Sequence, residues 1–427
     1  MKKTLISILI MLSLVLPLAG CTGTASAGLI ESDKERIESP DVSSADETTL
    51  VDGNTAFALN LFQALKNEDG NVFYSPHSIS LALAMTYAGA RGETASQMAD
   101  TLHFDLSQDN LHPALNYLDI ELDKRGEGAK GKDDEGFRLN IVNAIWGQRD
   151  FTFLPEYLDT LAENYGAGLR VLDFVKETEK SRVIINDWVS DETEGRIQDL
   201  IPQGQLNAAT RLVLTNAIYF NAAWQYPFEE SLTSDSSFHL LNGQDVTVPM
   251  MRQTELFGYT TGEGYKAVEL QYDGGELSMI ILLPNGGQYE PFEEQLTAEK
   301  ANEIIDGLKY TQVALSMPKF EFESEFKMKD TLSAMGMPIA FGSGADFSGM
   351  TGGKDLYIDQ VIHKAFVSVD EAGTEAAAAT AVDMKLTSMP AEPVKVNVDH
   401  PFIFLIRDIK TGTILFIGRV LNPADQN

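Results

Sequence analysis

The sequence predicts an α+β fold in one large domain, and three observations support this. Helical and strand-like apolar patterns mix along the chain without a fixed repeat, which favours α+β over a doubly wound sheet. The chain after residue 48 contains no linker rich in Pro, Gly or Ser that would divide it into domains. Strand-like runs joined by short Gly-containing turns predict antiparallel hairpins.

Four helices are predicted from apolar spacing and end signals. The first follows Asn54 and Thr55, where apolar residues recur at helical intervals. The second begins at Ser75, whose hydroxyl can cap it, has Pro76 in its first position and ends at Gly89. The remaining two are predicted over residues 155–165 and 178–191.

Eight strand-like runs complete the predicted elements. Two hairpins are expected, at Asp273-Gly274-Gly275 and at Lys410-Thr411-Gly412, and the charged, glycine-rich segment 124–136 is predicted to be a surface loop. The predicted strands cover residues 139–146, 212–220, 267–272, 277–283, 313–322, 360–369, 402–406 and 414–420.

The N-terminus has the pattern of an exported lipoprotein. Lysines 2 and 3 precede an apolar run at 5–18, and Leu18-Ala19-Gly20-Cys21 resembles a bacterial lipobox whose cysteine becomes lipidated. Residues 1–21 are thus interpreted as a signal peptide, 22–48 as a flexible acidic tether and 49–427 as the folded domain. The protein is expected to be secreted and held by lipid at the outer face of the cell membrane. Ala25-Ser26-Ala27 offers an alternative cleavage site that would release it.

Charge and cysteine content limit which binding partners and which cross-links the protein is expected to have. Acidic residues outnumber basic ones by 63 to 32, giving a formal charge of −31, so nucleic acid or another polyanion is not an expected partner. Cys21 is the single cysteine, so no internal disulfide holds the fold. A membrane would be contacted only through the lipid anchor.

Known catalytic motifs are missing from the sequence. It contains no GxSxG or HExxH motif and no phosphate-binding loop, and its six histidines show no metal-ligand spacing. We therefore predict that the protein is not an enzyme, has no catalytic residues and needs no metal or cofactor.

The segment 374–385 has a period of two. In an extended strand one face would carry small and then apolar residues, and the other face small or charged residues, so the segment suits a half-covered sheet. The first face comprises Thr374, Ala376, Ala378, Thr380, Val382 and Met384, and the second comprises Glu375, Ala377, Ala379, Ala381, Asp383 and Lys385.

This segment and six others resemble stretches of serpin sequences, and they follow one another in the order found in the serpin family. The stretch 370–378, DEAGTEAAA, resembles the proximal hinge of the reactive-centre loop of inhibitory serpins. The resemblance covers nearly all of the chain after residue 50 and implies three β-sheets, eight or nine helices and an exposed reactive-centre loop at about 371–396. The other matching stretches are NVFYSPHSIS at 71–80, LTNAIYF at 214–220 with Trp224, MPKF at 317–320, GADFSG at 344–349, HPFIF at 400–404 and FIGRVLNP at 416–423.

The resemblance also implies a mechanism, the irreversible inhibition of serine endopeptidases. In such serpins the protease cleaves the loop and forms an acyl-enzyme, and the loop then inserts into the central sheet and distorts the protease. Sixteen residues beyond the hinge glutamate, Glu371, the expected scissile bond is Thr387–Ser388, which suits elastase-like or subtilisin-like proteases. Cleavage after Lys385 or Leu386 is the alternative. The hinge residues implied are Glu371, Gly373, Thr374, Glu375, Ala376, Ala377 and Ala378.

The resemblance also implies two further clusters of functional residues. Ser75, Ser78, Asn216 and His363 match the shutter, a hydrogen-bonded cluster beneath the central sheet. Trp224 and Lys319 match the breach, where insertion begins, and Lys319 is expected to pair with Glu371. A non-inhibitory serpin, acting as a carrier, chaperone or storage protein, is the alternative. Its hinge would often carry bulky, charged or proline residues, and the protein is expected to be a monomer in either case.

Overall fold

The computed structural model describes residues 27–126, 129, 138–374 and 392–425. Within this part of the chain there are ten α-helices and sixteen β-strands, so the α+β class is confirmed. The helices are α1 Ser44–Leu65, α2 Pro76–Tyr87, α3 Gly92–Leu102, α4 Gln108–Asp123, α5 Pro155–Tyr165, α6 Thr178–Glu192, α7 Tyr289–Gln295, α8 Ala298–Asp306, α9 Met328–Met335 and α10 Ser348–Thr351. The strands are β1 Gly28–Ile30, β2 Val72–Tyr74, β3 Arg138–Gln148, β4 Leu169–Leu172, β5 Leu212–Ala223, β6 Ser234–His239, β7 Asp245–Gly262, β8 Tyr265–Gln271, β9 Leu277–Pro284, β10 Lys309–Pro318, β11 Phe320–Lys327, β12 Gln360–Val369, β13 Gly373–Thr374, β14 Val394–Asn397, β15 Phe402–Asp408 and β16 Ile414–Val420.

The central sheet contains seven strands in the order β1-β4-β3-β5-β13-β12-β11. Strands β5 and β12 run parallel and pair directly as far as Tyr219 and Phe366. Beyond that point they part, and the two-residue strand β13 lies between them, antiparallel to both. One face of this sheet joins the main core, whereas the other face is covered by α6 through Ile185 and Val189. The central sheet is therefore opened at one end.

The second sheet contains nine strands, eight of them in the order β14-β10-β7-β8-β9-β15-β16-β2, with β6 paired to β7. Strand β7 is 18 residues long and pairs with β6 through its first part and with β8 through its second. Because β7 pairs along its whole length, the described residues form two hydrogen-bonded sheets instead of the three that the resemblance implies.

The predicted helices and strands agree with the structure except at two places, and most of the predicted surface loop 124–136 lies outside the described residues. The strand predicted over 313–322 is wrong as a single strand, because the chain leaves the second sheet at Pro318 and enters the central sheet at Phe320. The first helix begins at Ser44, ten residues before Asn54, because the Ser43 hydroxyl caps it by accepting a hydrogen bond from the Asp46 amide.

The flexible tether predicted for residues 22–48 is wrong from Gly28 onwards. Strand β1 pairs antiparallel with the edge strand β4, and the Ile37 amide donates to the Glu163 carbonyl of α5 at 2.9 Å. The Arg36 guanidinium donates to the Asn116 amide oxygen at 2.8 Å and to the Asp119 carboxylate at 2.5 Å, both on α4. These bonds fasten residues 28–37, the N-terminal arm, although the arm buries little apolar surface.

No helix in the described part of the chain is both long enough and apolar enough to cross a bilayer. The apolar run at 5–18 lies outside the described residues, as do Cys21 and the first two residues of the alternative cleavage site.

Candidate functional site

The hinge predicted from the sequence lies at the opening of the central sheet. Gly373 and Thr374 stand opposite Ala223 and Ala222 of β5, and Thr374 also stands opposite Val369 of β12. A Cβ atom on Gly373 would come within 2.1 Å of the Ala222 carbonyl oxygen. Only glycine therefore allows the hinge backbone to approach β5 this closely.

Thr374 points into the core, as the period-two pattern predicts. Its side chain is fully buried, and its hydroxyl lies 2.8 Å from the Tyr272 hydroxyl. Burial raises the pKa of Tyr272 above its ordinary value, so the phenol stays protonated and can share this hydrogen bond. The ring of Tyr272 stacks on Trp224 with centroids 4.7 Å apart, which fixes the floor beneath the hinge.

Trp224 holds the turn that leads into the hinge. Its indole Nε1 donates to the Asp370 carbonyl at 3.0 Å, and its backbone amide donates to the Ala372 carbonyl at 2.8 Å. The Asp370 carboxylate accepts from the amides of Ala372 and Gly373, which closes the turn from within. Trp224 thus lies where β5 and β12 part.

The predicted pair between Lys319 and Glu371 is present, with Nζ 2.6 Å from Oε2. Glu371 also accepts a hydrogen bond from the Thr233 hydroxyl at 2.7 Å. Burial alone would raise the pKa of Glu371, but these two hydrogen bonds outweigh it and hold the pKa below its ordinary value. Because the Lys319 side chain is partly exposed, the pair contributes only about 0–1 kcal/mol to stability.

The four predicted shutter residues meet beneath the centre of the sheet. The His363 imidazole and the Asn216 amide hydrogen-bond to each other across β5 and β12. Nε2 of His363 accepts from the Ser75 amide at 3.2 Å, and the Asn216 amide group donates to the Ser78 hydroxyl at 2.5 Å. Ser75 in turn caps α2 by accepting from the Ser78 amide at 3.1 Å. The cluster connects β5 and β12 with the start of α2.

His363 is neutral in this arrangement. Since Nε2 accepts a hydrogen bond, the proton lies on Nδ1 and is donated to the Asn216 carbonyl oxygen. The side chain is fully buried, and desolvation lowers its pKa to about 3. Protonation of Nε2 would remove the acceptor for the Ser75 amide, so the hydrogen bond between β12 and the start of α2 depends on an uncharged imidazole.

Acidification is expected to weaken the protein through His363. Its folded pKa lies below the ordinary value of about 6.5, so the unfolded chain binds the proton first as the pH falls. The contribution of neutral His363 to the free energy of unfolding is full above pH 6.5 and is lost as the pH falls towards 3. At pH 5 the loss amounts to about 2 kcal/mol. The urea midpoint of the first unfolding transition, compared at pH 7.5 and pH 5, measures this loss.

The matched variant for this measurement is His363→Gln. The variant retains His112, which is buried and makes its own contribution to the acid sensitivity, because burial lowers its pKa to about 4. The free energy of unfolding should fall between pH 7.5 and pH 5 in both proteins, and the fall should be about 2 kcal/mol smaller in the variant than in the parent. An equal difference in both proteins would rule out His363 as a source of the acid sensitivity.

The comparisons with known proteins agree with this geometry. The family model described as Serpin (serine protease inhibitor) matches residues 52–423. The chain belongs to the serpin family. A leukocyte elastase inhibitor A of Mus musculus is 41% identical over 387 residues, covering 88% of this chain and 99% of the relative. An uncharacterized serpin-like protein of Thermococcus kodakarensis is 42% identical over 381 residues, covering 89% and 87%.

Solved serpin structures share the fold along most of the chain. Native tengpin, a thermophilic serpin, superposes with a TM-score of 0.80 at 30% identity and covers 93% of this chain and 100% of its own. Uncleaved ovalbumin gives 0.78 at 27% identity, covering 88% and 100%. Human thyroxine-binding globulin complexed with thyroxine gives a TM-score of 0.79 at 29% identity, covering 89% of this chain and 100% of its own.

Several serpin site residues lie outside the described part of the chain, and others were not predicted. Glu375, Ala376, Ala377 and Ala378 of the hinge, the expected bond Thr387–Ser388 and its alternatives Lys385 and Leu386 all fall in the undescribed range 375–391. Asn143 of β3 was missed. It stands opposite Asn216 and donates to the Ser78 carbonyl at 3.3 Å. Its signal is a single amide within the apolar run 141–146.

Tyr272, which bonds Thr374, was also missed, because its contact depends on the meeting of two distant segments. No group of three or more His, Cys, Asp or Glu side chains in the described residues could hold a metal ion.

Proposed function

We propose that this serpin is a suicide inhibitor of serine endopeptidases, which it traps as acyl-enzymes by inserting its cleaved loop into the central sheet. The observation that carries the proposal is the position of Gly373 and Thr374, which already lie in register between β5 and β12. A cleaved loop can lengthen this two-residue strand without a change of direction or face.

The register of β13 defines where each further residue would insert. Continued from Thr374, Ala377 would stand opposite Phe366 and Tyr219, which form the pair nearest the opening. Thr380 would then stand between His363 and Asn216, on the face that carries Thr374. Insertion would break the hydrogen bond between that histidine and asparagine, and in this register the threonine hydroxyl would offer each of them a new partner.

The energetics favour this insertion. A strand of about 15 residues spans about 50 Å at about 3.3 Å per residue. Its ladder hydrogen bonds, at about 0.5–1.5 kcal/mol net each, would stabilise the inserted form by on the order of 10 kcal/mol. The uncut protein would then persist because a kinetic barrier separates it from the more stable state.

The proposed targets are elastase-like or subtilisin-like proteases. A small β-branched residue at Thr387 suits a modest primary specificity pocket, and the name of the mouse relative states that it inhibits leukocyte elastase. Cleavage after Leu386 or Lys385 would instead direct the protein to chymotrypsin-like or trypsin-like enzymes.

A denaturing gel tests the proposal. The protein is mixed with elastase, subtilisin, trypsin and chymotrypsin, and a covalent band near the summed mass of inhibitor and protease is expected. Mass spectrometry of the released C-terminal peptide identifies the cleaved bond. A clipped product without a covalent band would favour the non-inhibitory alternative, as carrier, chaperone or storage protein.

We also propose that the protein is exported and anchored through lipidated Cys21. The lipobox pattern at 18–21 supports this. In a bacterial host, the parent protein should partition into the membrane fraction and Cys21→Ser should not. Release of the parent as a soluble protein beginning at Gly28 would favour the alternative cleavage site.

A further inference from the structure

The connection between β14 and β15, residues 398–401, leads from the edge of the second sheet to one of its interior strands. In the described part of the chain, β14 pairs only with β10, over four residues. Beyond β14, the Val398 amide donates to the Ser316 carbonyl of β10 at 2.8 Å. The amide of His239, at the end of β6, donates to the Asp399 carbonyl at 2.8 Å. The connection therefore helps to hold a short edge strand on the body.

His400 in this connection lies between two oxygen atoms that accept hydrogen bonds and cannot donate them. Its Nδ1 is 2.7 Å from a carboxylate oxygen of Asp399, and its Nε2 is 2.6 Å from the Pro284 carbonyl oxygen at the end of β9. The hydrogen bond from the imidazole lowers the pKa of the Asp399 carboxyl, so this group carries no proton at neutral pH. Both ring nitrogens must then donate, which only an imidazolium can do.

Loss of one proton would break this arrangement. A neutral imidazole has a single N–H, so its other nitrogen would direct a lone pair at an oxygen atom. Either the hydrogen bond to Pro284 or the one to Asp399 would then be lost, and hydrogen bonds from a charged donor are among the stronger ones in proteins. Because the His400 side chain is only 22% exposed, water would replace the lost partner only in part.

The groups around the His400 imidazole favour its protonation on balance. The hydrogen bond to Asp399 raises the pKa of His400 above its ordinary value, partial burial opposes this, and the carbonyl of β9 supports it. Lys266 of β8 acts against the imidazolium by charge repulsion. On β6 and β7, the His239 imidazole lies 2.7 Å from the Asp245 carboxylate and interacts electrostatically with both Asp399 and His400.

We propose that His400 is a pH-sensitive switch, the His400 clamp, which as an imidazolium holds the β14–β15 connection on β9 and as a neutral imidazole releases it. The proposal concerns the protein before any cleavage and does not depend on protease inhibition. Because the raised pKa means that the folded protein binds this proton more tightly than the unfolded chain, the clamp is complete below pH 6.5 and is lost as the pH rises through the folded pKa. It acts in the opposite direction to His363, whose contribution is lost on acidification.

Amide hydrogen exchange in the full chain tests the clamp. Between pH 6 and pH 9, exchange of the Val398 and His239 amides, divided by their intrinsic rates, should rise roughly tenfold in the parent protein. His400→Arg keeps its positive charge throughout and should protect these amides at both pH values. His400→Gln is neutral throughout and should leave them equally weakly protected at both. Lys266→Met should move the midpoint of the parental change to higher pH, because it removes the charge that opposes the imidazolium.

The matched control is His239→Gln. His239 also lies 2.7 Å from a carboxylate, but its side chain is 56% exposed, and a neutral imidazole can keep that hydrogen bond through Nδ1–H. This control should retain the parental pH dependence at Val398. Equal pH dependence in the parent and in both His400 variants would overturn the proposal. So would a His400 imidazole resonance that titrates at or below pH 6.5 in the parent protein, a measurement that decides the question even if a His400 variant does not fold.

Discussion

Replacement of Thr374 by Arg is expected to convert the protein from an inhibitor into a substrate. The Thr374 side chain is fully buried, and the inserted strand would hold its replacement against Tyr272 in the core. Burying an unpaired guanidinium costs several kcal/mol, which would slow insertion by on the order of a hundredfold or more. Deacylation would then precede trapping. A denaturing gel should show a clipped product in place of the covalent complex.

Thr374→Ser is the matched control, because it keeps the hydroxyl that meets Tyr272 and adds no volume. It should trap proteases as the parent does. The rate of loop cleavage should be similar in all three proteins, since the substituted residue lies 13 positions before the expected scissile bond (387 − 374 = 13). Full stoichiometric trapping by Thr374→Arg would show that the hinge has been assigned to the wrong residues.

Cleavage of the loop near Thr387 is expected to raise the melting temperature by roughly 20 °C, because insertion would add on the order of 10 kcal/mol of ladder hydrogen bonds. Thermolysin suits this experiment, since a metalloprotease forms no acyl-enzyme and leaves after cleavage. Differential scanning calorimetry before and after cleavage measures the change.

The same cleavage of Thr374→Arg provides the control. If insertion causes the gain, the cut variant should melt close to its uncut form, because its loop cannot enter the sheet. A cut parent that melts at the temperature of the uncut protein would exclude insertion. A gain of equal size in parent and variant would mean that cleavage stabilises the protein in some other way.

Local pattern predicted the parts of the site that depend on one segment. The period of two from Thr374 correctly placed that side chain in the core, and Ser75-Pro76 correctly marked the start of α2. The helix over 155–165 was predicted with the bounds that the structure has. In each case the signal and the structure it produces lie within a few residues of one another.

Contacts between distant segments could not be predicted in this way. Tyr272 lies in the connection between β8 and β9, and nothing in its neighbourhood indicates that it would meet Thr374. The split between β10 and β11 at Pro318 was missed because the run 313–322 is apolar enough for one strand, although proline cannot donate to a ladder. The N-terminal arm was missed because its few large apolar residues indicated a segment with no packed contacts. Arg36 fastens the arm mainly by hydrogen bonds, which the composition does not reveal.

The fastened arm determines how a lipid-anchored form would stand on a cell. The chain from Cys21 to Gly28 reaches at most about 25 Å, whereas a free chain from Cys21 to residue 48 would reach about 95 Å. The body would therefore sit against the bilayer with the β1 edge of the central sheet facing it. The proposed insertion of the loop would widen that sheet between β5 and β12, so the half that carries β1 would stay at the bilayer while the other half moves away from it.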